Sequence, residues 1–313
     1  LAKIKVGISS CLVGEPVRFD SGHKRNLYVT NVLHDYFEFV PFCPEVSIGL
    51  GIPRQTIRLS LQDDEVRCIG SKDPALDVTE KLYQSAEDQK HWHDELCGYI
   101  LKKDSPSCGM ERVRLYKGDT PDRVGVGLYA KRLMENFPNL PVEEEGRLGD
   151  PVLRENFIQR VFVYYRWRQM MLEPLTLDKL MQFHARHKFI FVSHDQNLAS
   201  ELGRWLSEQG KESLAAVSQA YLTKMMTLLK VRATRQNHAN TLTHIQGFLK
   251  KHVTGLDKQE LVETINNYRL GLLPLIVPLT LLRHHFLHHP NDYIDGSYYM
   301  RPHPSELMLL NQL

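Results

Sequence analysis

"KIKVGISSCLVGEPVRFD", residues 3–20, runs from a short apolar stretch into a polar loop, and a cysteine stands at the turn between them. "KIKVGI" (3–8) reads as a strand, and Cys11 follows its end in "SSCL". Two other cysteines are placed the same way. "FEFVPF" (37–42) reads as a second strand with Cys43 just beyond it, and "GYILKK" (98–103) as a further one with Cys108 after it, in "KDSPSCGM". "VRCIG" around Cys68 reads as a short strand between them. Helical segments alternate with these. "NLYVTNVLHDYF" (26–37) starts at a candidate N-cap, Asn26. Asp77 opens a long helix to about Cys97-Gly98, with Glu80 in capping-box register, and "GVGLYAKRLMENF" is another. Alternating strands and helices predict an α/β domain with a mostly parallel, Rossmann-like sheet. The carboxyl ends of parallel strands share one edge, where α/β proteins build their sites. Cys11, Cys43 and Cys108 are therefore expected to meet without any CxxC motif.

"PNLPVEEEGRLGDP" (138–151) holds three prolines, two glycines and an acidic triplet, which places a domain boundary here. The expected domains are 1–149, carrying the cysteine site, and 150–313. Asp150-Pro151 forms an N-cap and first-position pair for a helix to about Leu172. From 176 to 290 apolar residues recur at helical spacing, so the second domain is expected to be all α.

A chain of 313 residues with 42% hydrophobic and 24% charged residues reads as globular, neither disordered nor fibrous. Its longest apolar run, "GLLPLIVPLTLL" (271–282), is too short to span a bilayer and carries two prolines. Lys3 and Lys5 interrupt the only apolar run near the start, so no secretory leader is read there, and a cytoplasmic protein with no membrane partner is expected. Five cysteines without framework spacing argue against a disulfide scaffold. The net charge of +2 hides a local feature: nothing acidic lies between Glu212 and Asp257, while Lys224, Lys230, Arg232, Arg235, Lys250 and Lys251 do. A basic stretch in a nearly neutral chain suggests a polyanion footprint.

Three thiolates on one rim suit zinc, with His23 or Glu45 as a fourth ligand, or a [4Fe–4S] cluster with one iron left open. Spacing alone does not choose between them. Cys68, inside a strand, and Cys97, at a helix end, read as buried thiols without function. "GVGLYA" (125–130) fits a dinucleotide fingerprint but does not follow the first strand. "HHFLHH" (284–289) has metal-binding i,i+4 pairs but no neighbouring Cys or Glu. The aromatics of "YYRWR" (164–168) are expected mostly in the core.

Together "GISSCLVGEPVRFDSGHK", "PFCPEVSIGLGIPR" and "KKDSPSCG" resemble the thiouracil/thiouridine desulfidase family over about residues 4–145. The remainder, with "NHANTLTHIQGF" and "YRLGLLPLIVPLTLLRHH", resembles the helical YbgA-like domain found fused to it. The fusion looks like the enzymes that remove sulfur from 4-thiouridine in tRNA. The resemblance implies a [4Fe–4S] cluster held by Cys11, Cys43 and Cys108, with Glu45 and Ser105 catalytic. Arg18 and Lys24, close behind the first cysteine loop, are expected on the substrate side. Lys224, Lys230, Arg232 and Arg235 are the expected RNA contacts, with tRNA the partner. Two other readings remain at this stage: desulfuration of free thiouracil or thionucleotides, and a non-catalytic iron–sulfur sensor with a helical partner-binding module.

Overall fold

A computed structural model describes residues 3–210 and 213–304. The chain forms two compact units that divide between Gly149 and Asp150.

The first unit contains eight strands: β1 (Ile4–Ser9), β2 (Phe37–Phe42), β3 (Ile57–Gln62), β4 (Glu65–Gly70), β5 (Tyr99–Leu101), β6 (Val113–Lys117), β7 (Thr120–Gly125) and β8 (Val142–Glu144). They form two sheets. One has the order β2-β1-β5-β8, and every pair in it is parallel. Ile4, Val6 and Ile8 of β1 are buried, as are all three residues of β5, the near-continuous burial of a covered parallel sheet. Gly7 in β1 is dictated by packing, because a Cβ there would come within 2.4 Å of the Tyr99 ring on the neighbouring strand. The order reverses at β1: the chain goes from β1 to β2 on one side, then crosses to β5 on the other. The cysteine loops leave β2, β1 and β5, three adjacent strands flanking that switch point.

The parallel sheet is as the sequence predicts; a second sheet, β4-β3-β6-β7, is an addition that the sequence reading did not include. The "VRCIG" strand lies here, antiparallel to β3, with Cys68 buried among Leu59, Val78 and Leu82. The β3–β4 hairpin turns on Asp63 and Asp64, both at positive φ (49° and 64°), a conformation that aspartate tolerates better than most residues. Two expectations change. The helix from Asp77 begins at Thr79 and breaks into Thr79–Asp88 and Lys90–His93; Asp77 bonds the Thr79 N–H, and no capping box forms. The proline-rich boundary segment holds β8, whose burial against β5 outweighs its turn-like composition.

The second unit is helical, with no strand among its described residues. Its helices include Pro151–Met171, Leu177–His194, Gln196–Ser207, Leu214–Lys230, Arg235–Gln246, Gly255–Arg269 and Ile276–His288. Their starts follow local chemistry. Asp150, Thr176, Asp195, Ser213 and Thr234 each accept backbone N–H bonds in the first turn, and Thr254 with Asp257 forms a full capping box. The core gathers Phe189, Phe191, Tyr221, Met225, Leu242 and Leu279. No described helix is long and apolar enough to cross a membrane.

Among the buried histidines of this unit are His187, His194 and His238. Burial first of all pushes their pKa down, to about 3, about 4 and about 3 respectively, so they fold as neutral rings. In the unfolded chain they titrate near 6.5. Their contribution to stability is therefore complete above about pH 6.5 and is lost as pH falls toward the folded values, by up to ~1.4 kcal/mol per pH unit per histidine. Urea unfolding at pH 7 and pH 5 should show a lower midpoint at pH 5. A His187→Phe variant should lose less stability over that interval than the parent.

Candidate active site at the carboxyl edge of the parallel sheet

Each cysteine is placed by the turn that ends its strand. After β1 a single 3-10 turn, Ser10–Leu12, carries Cys11, and the following loop folds back so that Lys24 N–H donates to the Cys11 carbonyl at 2.8 Å. Cys43 is the N-cap residue of a one-turn helix, Pro44–Ser47, with Pro44 at its first position. Cys108 lies seven residues past the end of β5, further than expected because β5 stops at Leu101. Its loop is fixed against the backbone that follows β7: Gly127 N–H donates to Gly109 O at 2.8 Å, and a Cβ on Gly127 would fall 2.6 Å from the Ser107 carbonyl. This close approach is what the second glycine of "GVGLYA", Gly127, serves.

All three thiols line one cavity of about 380 Å³, together with Glu45, Ser105, Arg54, Arg18, Lys24, Lys102 and Lys103. Burial pushes the thiols up: Cys11 to about 11, opposed by Lys102 and Arg18, and Cys43 and Cys108 also above the ordinary thiol value. Such thiols stay protonated until a metal displaces the proton. Among the described residues, no three His, Cys, Asp or Glu side chains are close enough to hold one metal ion. A tetrahedral zinc site would bring its sulfurs to about 3.8 Å, given Zn–S bonds of about 2.3 Å. His23, a candidate zinc ligand from the sequence, is exposed; its Nδ1 accepts from Arg25 N–H at 3.2 Å, and it does not line the cavity.

Glu45, two residues past Cys43, is held from both sides. Arg54 donates to Oε2 from Nε (2.9 Å) and Nη2 (2.7 Å), and the Ser107 hydroxyl donates to Oε1 at 2.7 Å. The Ser105 hydroxyl is 2.9 Å from that of Ser107 and accepts from the Cys108 N–H at 3.1 Å. A carboxylate only accepts, so the Ser107 proton points to Glu45, and Ser107 is left to accept from Ser105. The hydrogens therefore run one way, from Ser105 through Ser107 to Glu45. Arg54 and Ser107 were not singled out in the sequence. Arg54 lies nine residues past Glu45 and Ser107 sits in a serine-rich turn, so no spacing rule marks either.

Arg18 and Lys24 line the same cavity, Arg18 with its Nε 3.5 Å from Asp20. The four expected RNA contacts lie in the second unit and are exposed. They do not form a single helix face. Lys224 packs over the Trp205 ring, Lys230 ends the same helix, Arg232 lies in the following turn, and Arg235 opens the next helix while donating to the Tyr268 and Leu273 carbonyls. Trp167 of "YYRWR" is buried against Tyr221, and His284 and His288 pack ring to ring.

Residues 6–145 match the 2-thiouracil desulfurase family, and residues 188–304 match DUF1722, described as a protein of unknown function. Among curated relatives, the uncharacterized protein YbgA of Escherichia coli (strain K12) is 27% identical over 151 residues, covering 48% of this chain and 89% of its own length. Among solved structures, the [4Fe-4S]-dependent thiouracil desulfidase TudS is 28% identical, covers 47% of this chain and 95% of its own, and has a TM-score of 0.37.

The side chains of Arg54 and Glu45 are only 5% and 15% exposed, so breaking the pair leaves a charge with little solvent. Arg54→Met should destabilise the first unit by about 3 kcal/mol. Adding Glu45→Gln should recover much of that loss, because the two changes touch one interaction. Urea unfolding of the two single variants and the double variant checks this; additive losses would show that the pair is not coupled.

Proposed function

We propose that this chain, whose residues 6–145 match the 2-thiouracil desulfurase family, replaces the C=S of a thiolated uracil ring with C=O, taking up water and releasing hydrogen sulfide. The observation that carries this reading is the convergence of Cys11, Cys43 and Cys108 on one cavity with a doubly held carboxylate, Glu45. The reaction is a hydrolysis, so no electrons are transferred, and the demanding step is expulsion of sulfide.

The three cysteines would hold a [4Fe–4S] cluster. The donor set fits: three thiols, each carried by the loop after a different strand of the parallel sheet, line one cavity. When bound, such a cluster supplies an iron with an open position, a Lewis acid that prefers sulfur. The other groups are the chain's own. Glu45 takes the proton of the attacking water as general base. Arg54 and Ser107 fix the carboxylate from two sides, which suits a base acting in place. Ser105 acts through Ser107: with two backbone N–H groups on its oxygen, its hydroxyl donates to Ser107, which in turn holds Glu45. Arg18 and Lys24 receive a phosphate of the substrate.

We assign the substrate as 4-thiouridine in tRNA. The acid-free stretch of the second unit, with Lys224, Lys230, Arg232 and Arg235 exposed, supports this. Phosphate contacts there would offset the few kcal/mol needed to expose a stacked base. The test is anaerobic turnover by the cluster-reconstituted protein, with 4-thiouridine tRNA set against free 2-thiouracil and 4-thiouridine. Loss of thiouridine absorbance with matching sulfide release is expected for tRNA, at a rate that falls as salt rises. Cys108→Ala should lose the cluster absorption, whereas Glu45→Gln should keep it and lose turnover by about 100-fold or more. Turnover of the free bases alone would move the substrate to thiouracil; full activity of Glu45→Gln would remove the base from the mechanism.

A further inference from the structure

The second unit has a cavity of its own, about 230 Å³, which the desulfuration chemistry does not use. Its mouth is formed by Val152, Ala233, Thr234 and Arg235, partly or fully exposed. Its floor belongs to the core: Glu155, Asn156, Gln159, His194, His238 and Tyr268 are all buried. A helical bundle gains nothing from so many polar side chains at its centre unless each has a partner. Several do not. Among the described residues, none bonds the buried Tyr268 hydroxyl or Glu155 Oε2, although Glu155 Oε1 is 3.0 Å from His303 Nε2. Asn156 spends its Nδ2 on the Leu229 carbonyl at 2.9 Å, and no described group donates to its oxygen.

Gln159 presents a further acceptor. The Val231 carbonyl can only accept, so the proton of His194 sits on Nδ1, 2.5 Å away. Burial holds that ring neutral, so its Nε2 accepts. Gln159 must then turn its NH2 toward His194, leaving the amide oxygen unspent. The wall is thus rich in unused acceptors, Glu155, Asn156 and Gln159, with one hydroxyl, Tyr268. Its flat faces are His238 and Tyr299, whose rings lie 5.8 Å apart. Among the described residues lining the floor none is a cation, since burial holds His194 and His238 neutral. A cation stands at the mouth instead: Arg235, its guanidinium 5.2 Å above the Tyr268 ring. The volume lies below the 300–1,000 Å³ or so of sites for drug-sized molecules, which limits the occupant to about one ring system.

We propose that this cavity binds the base of a nucleotide, one carrying an exocyclic amino group, with the ring inside and a phosphate at Arg235. Acceptors on the wall meet the N–H edge of such a base, the Tyr268 hydroxyl meets a ring nitrogen or carbonyl, and the tyrosine and imidazole faces cover the ring. The same chemistry is offered by a free nucleotide and by an unstacked base in an RNA strand. The inference does not rest on the desulfuration reading, because binding is read without turnover.

Calorimetric titration of the full chain with AMP, CMP, GMP, UMP, IMP, ribose 5-phosphate and a short single-stranded RNA is the test. At least one amino-bearing nucleotide should bind about tenfold or more tighter than UMP and IMP, which lack the amino group, and ribose 5-phosphate should not compete. Binding of the RNA but of no mononucleotide, lost in the same variants, would support the site with a polymer as its source. Leu279→Trp fills the cavity and should abolish binding. Tyr268→Phe removes only the unpartnered hydroxyl: its thermal midpoint should stay level or rise while affinity drops about tenfold, and it decides the matter if the tryptophan variant does not fold. No binding by any nucleotide or RNA at millimolar concentration would overturn the proposal. So would equal binding of ribose 5-phosphate, or affinity unchanged in Tyr268→Phe.

Discussion

The carboxylate of Glu45 joins the three cysteine loops. It lies two residues from Cys43, so the second loop carries it. Arg54, which holds one of its oxygens, also donates to the Val17 carbonyl at 2.9 Å, in the loop that follows Cys11. Ser107, which holds the other, precedes Cys108. One carboxylate thus spans loops from three different strands. Had it been replaced by an apolar side chain, Arg54 would be a buried cation with only carbonyls for company, and the first and second loops would lose their common anchor. The placing of the three thiol loops and the placing of this carboxylate are therefore one structural fact.

That arrangement needs the parallel sheet beneath it. β1 lies between β2 and β5 in exact succession of register, Ile4 to Ser9 against Phe37 to Phe42 on one side and Gly7-Ile8 against Tyr99-Ile100 on the other. The close fit of Gly7 to Tyr99 holds β5 in place. A slip of one residue would exchange the two faces of β1 and carry Cys11 away from the other two thiols.

The α/β class and the helical second unit were legible because apolar periodicity and helix caps are local signals. Asp150-Pro151 opens a helix as its chemistry requires, and Asn26 caps Leu27–Asn31 through the Val29 N–H. The second sheet was not legible. β7 is exposed along most of its length and β6 is only partly buried, so their pairing leaves little hydrophobic pattern. β8 is three residues long inside a segment rich in turn formers. The helix over 26–37 ends early, at Asn31, and continues only as the 3-10 turn Leu33–Asp35. At the site, the cysteines, Glu45 and Ser105 share one cavity, and their motifs stood out in the chain. Arg54 and Ser107 matter through the partner each meets in three dimensions, which no one-dimensional spacing records.

The loops also close on themselves through the chain's own bonds. Lys24 N–H reaches the Cys11 carbonyl, Lys102 N–H the Ser9 hydroxyl at 3.0 Å, and Gly127 N–H the Gly109 carbonyl. Pro44 stiffens the second loop at the first position of its helix. Small zinc-dependent domains behave otherwise: they lack a core of their own, so metal binding supplies their folding energy. Here two sheets with buried side chains of their own lie beneath the cysteine loops. Loss of a single cysteine should therefore remove a ligand and leave the fold standing, which allows its effect on chemistry to be separated from its effect on structure.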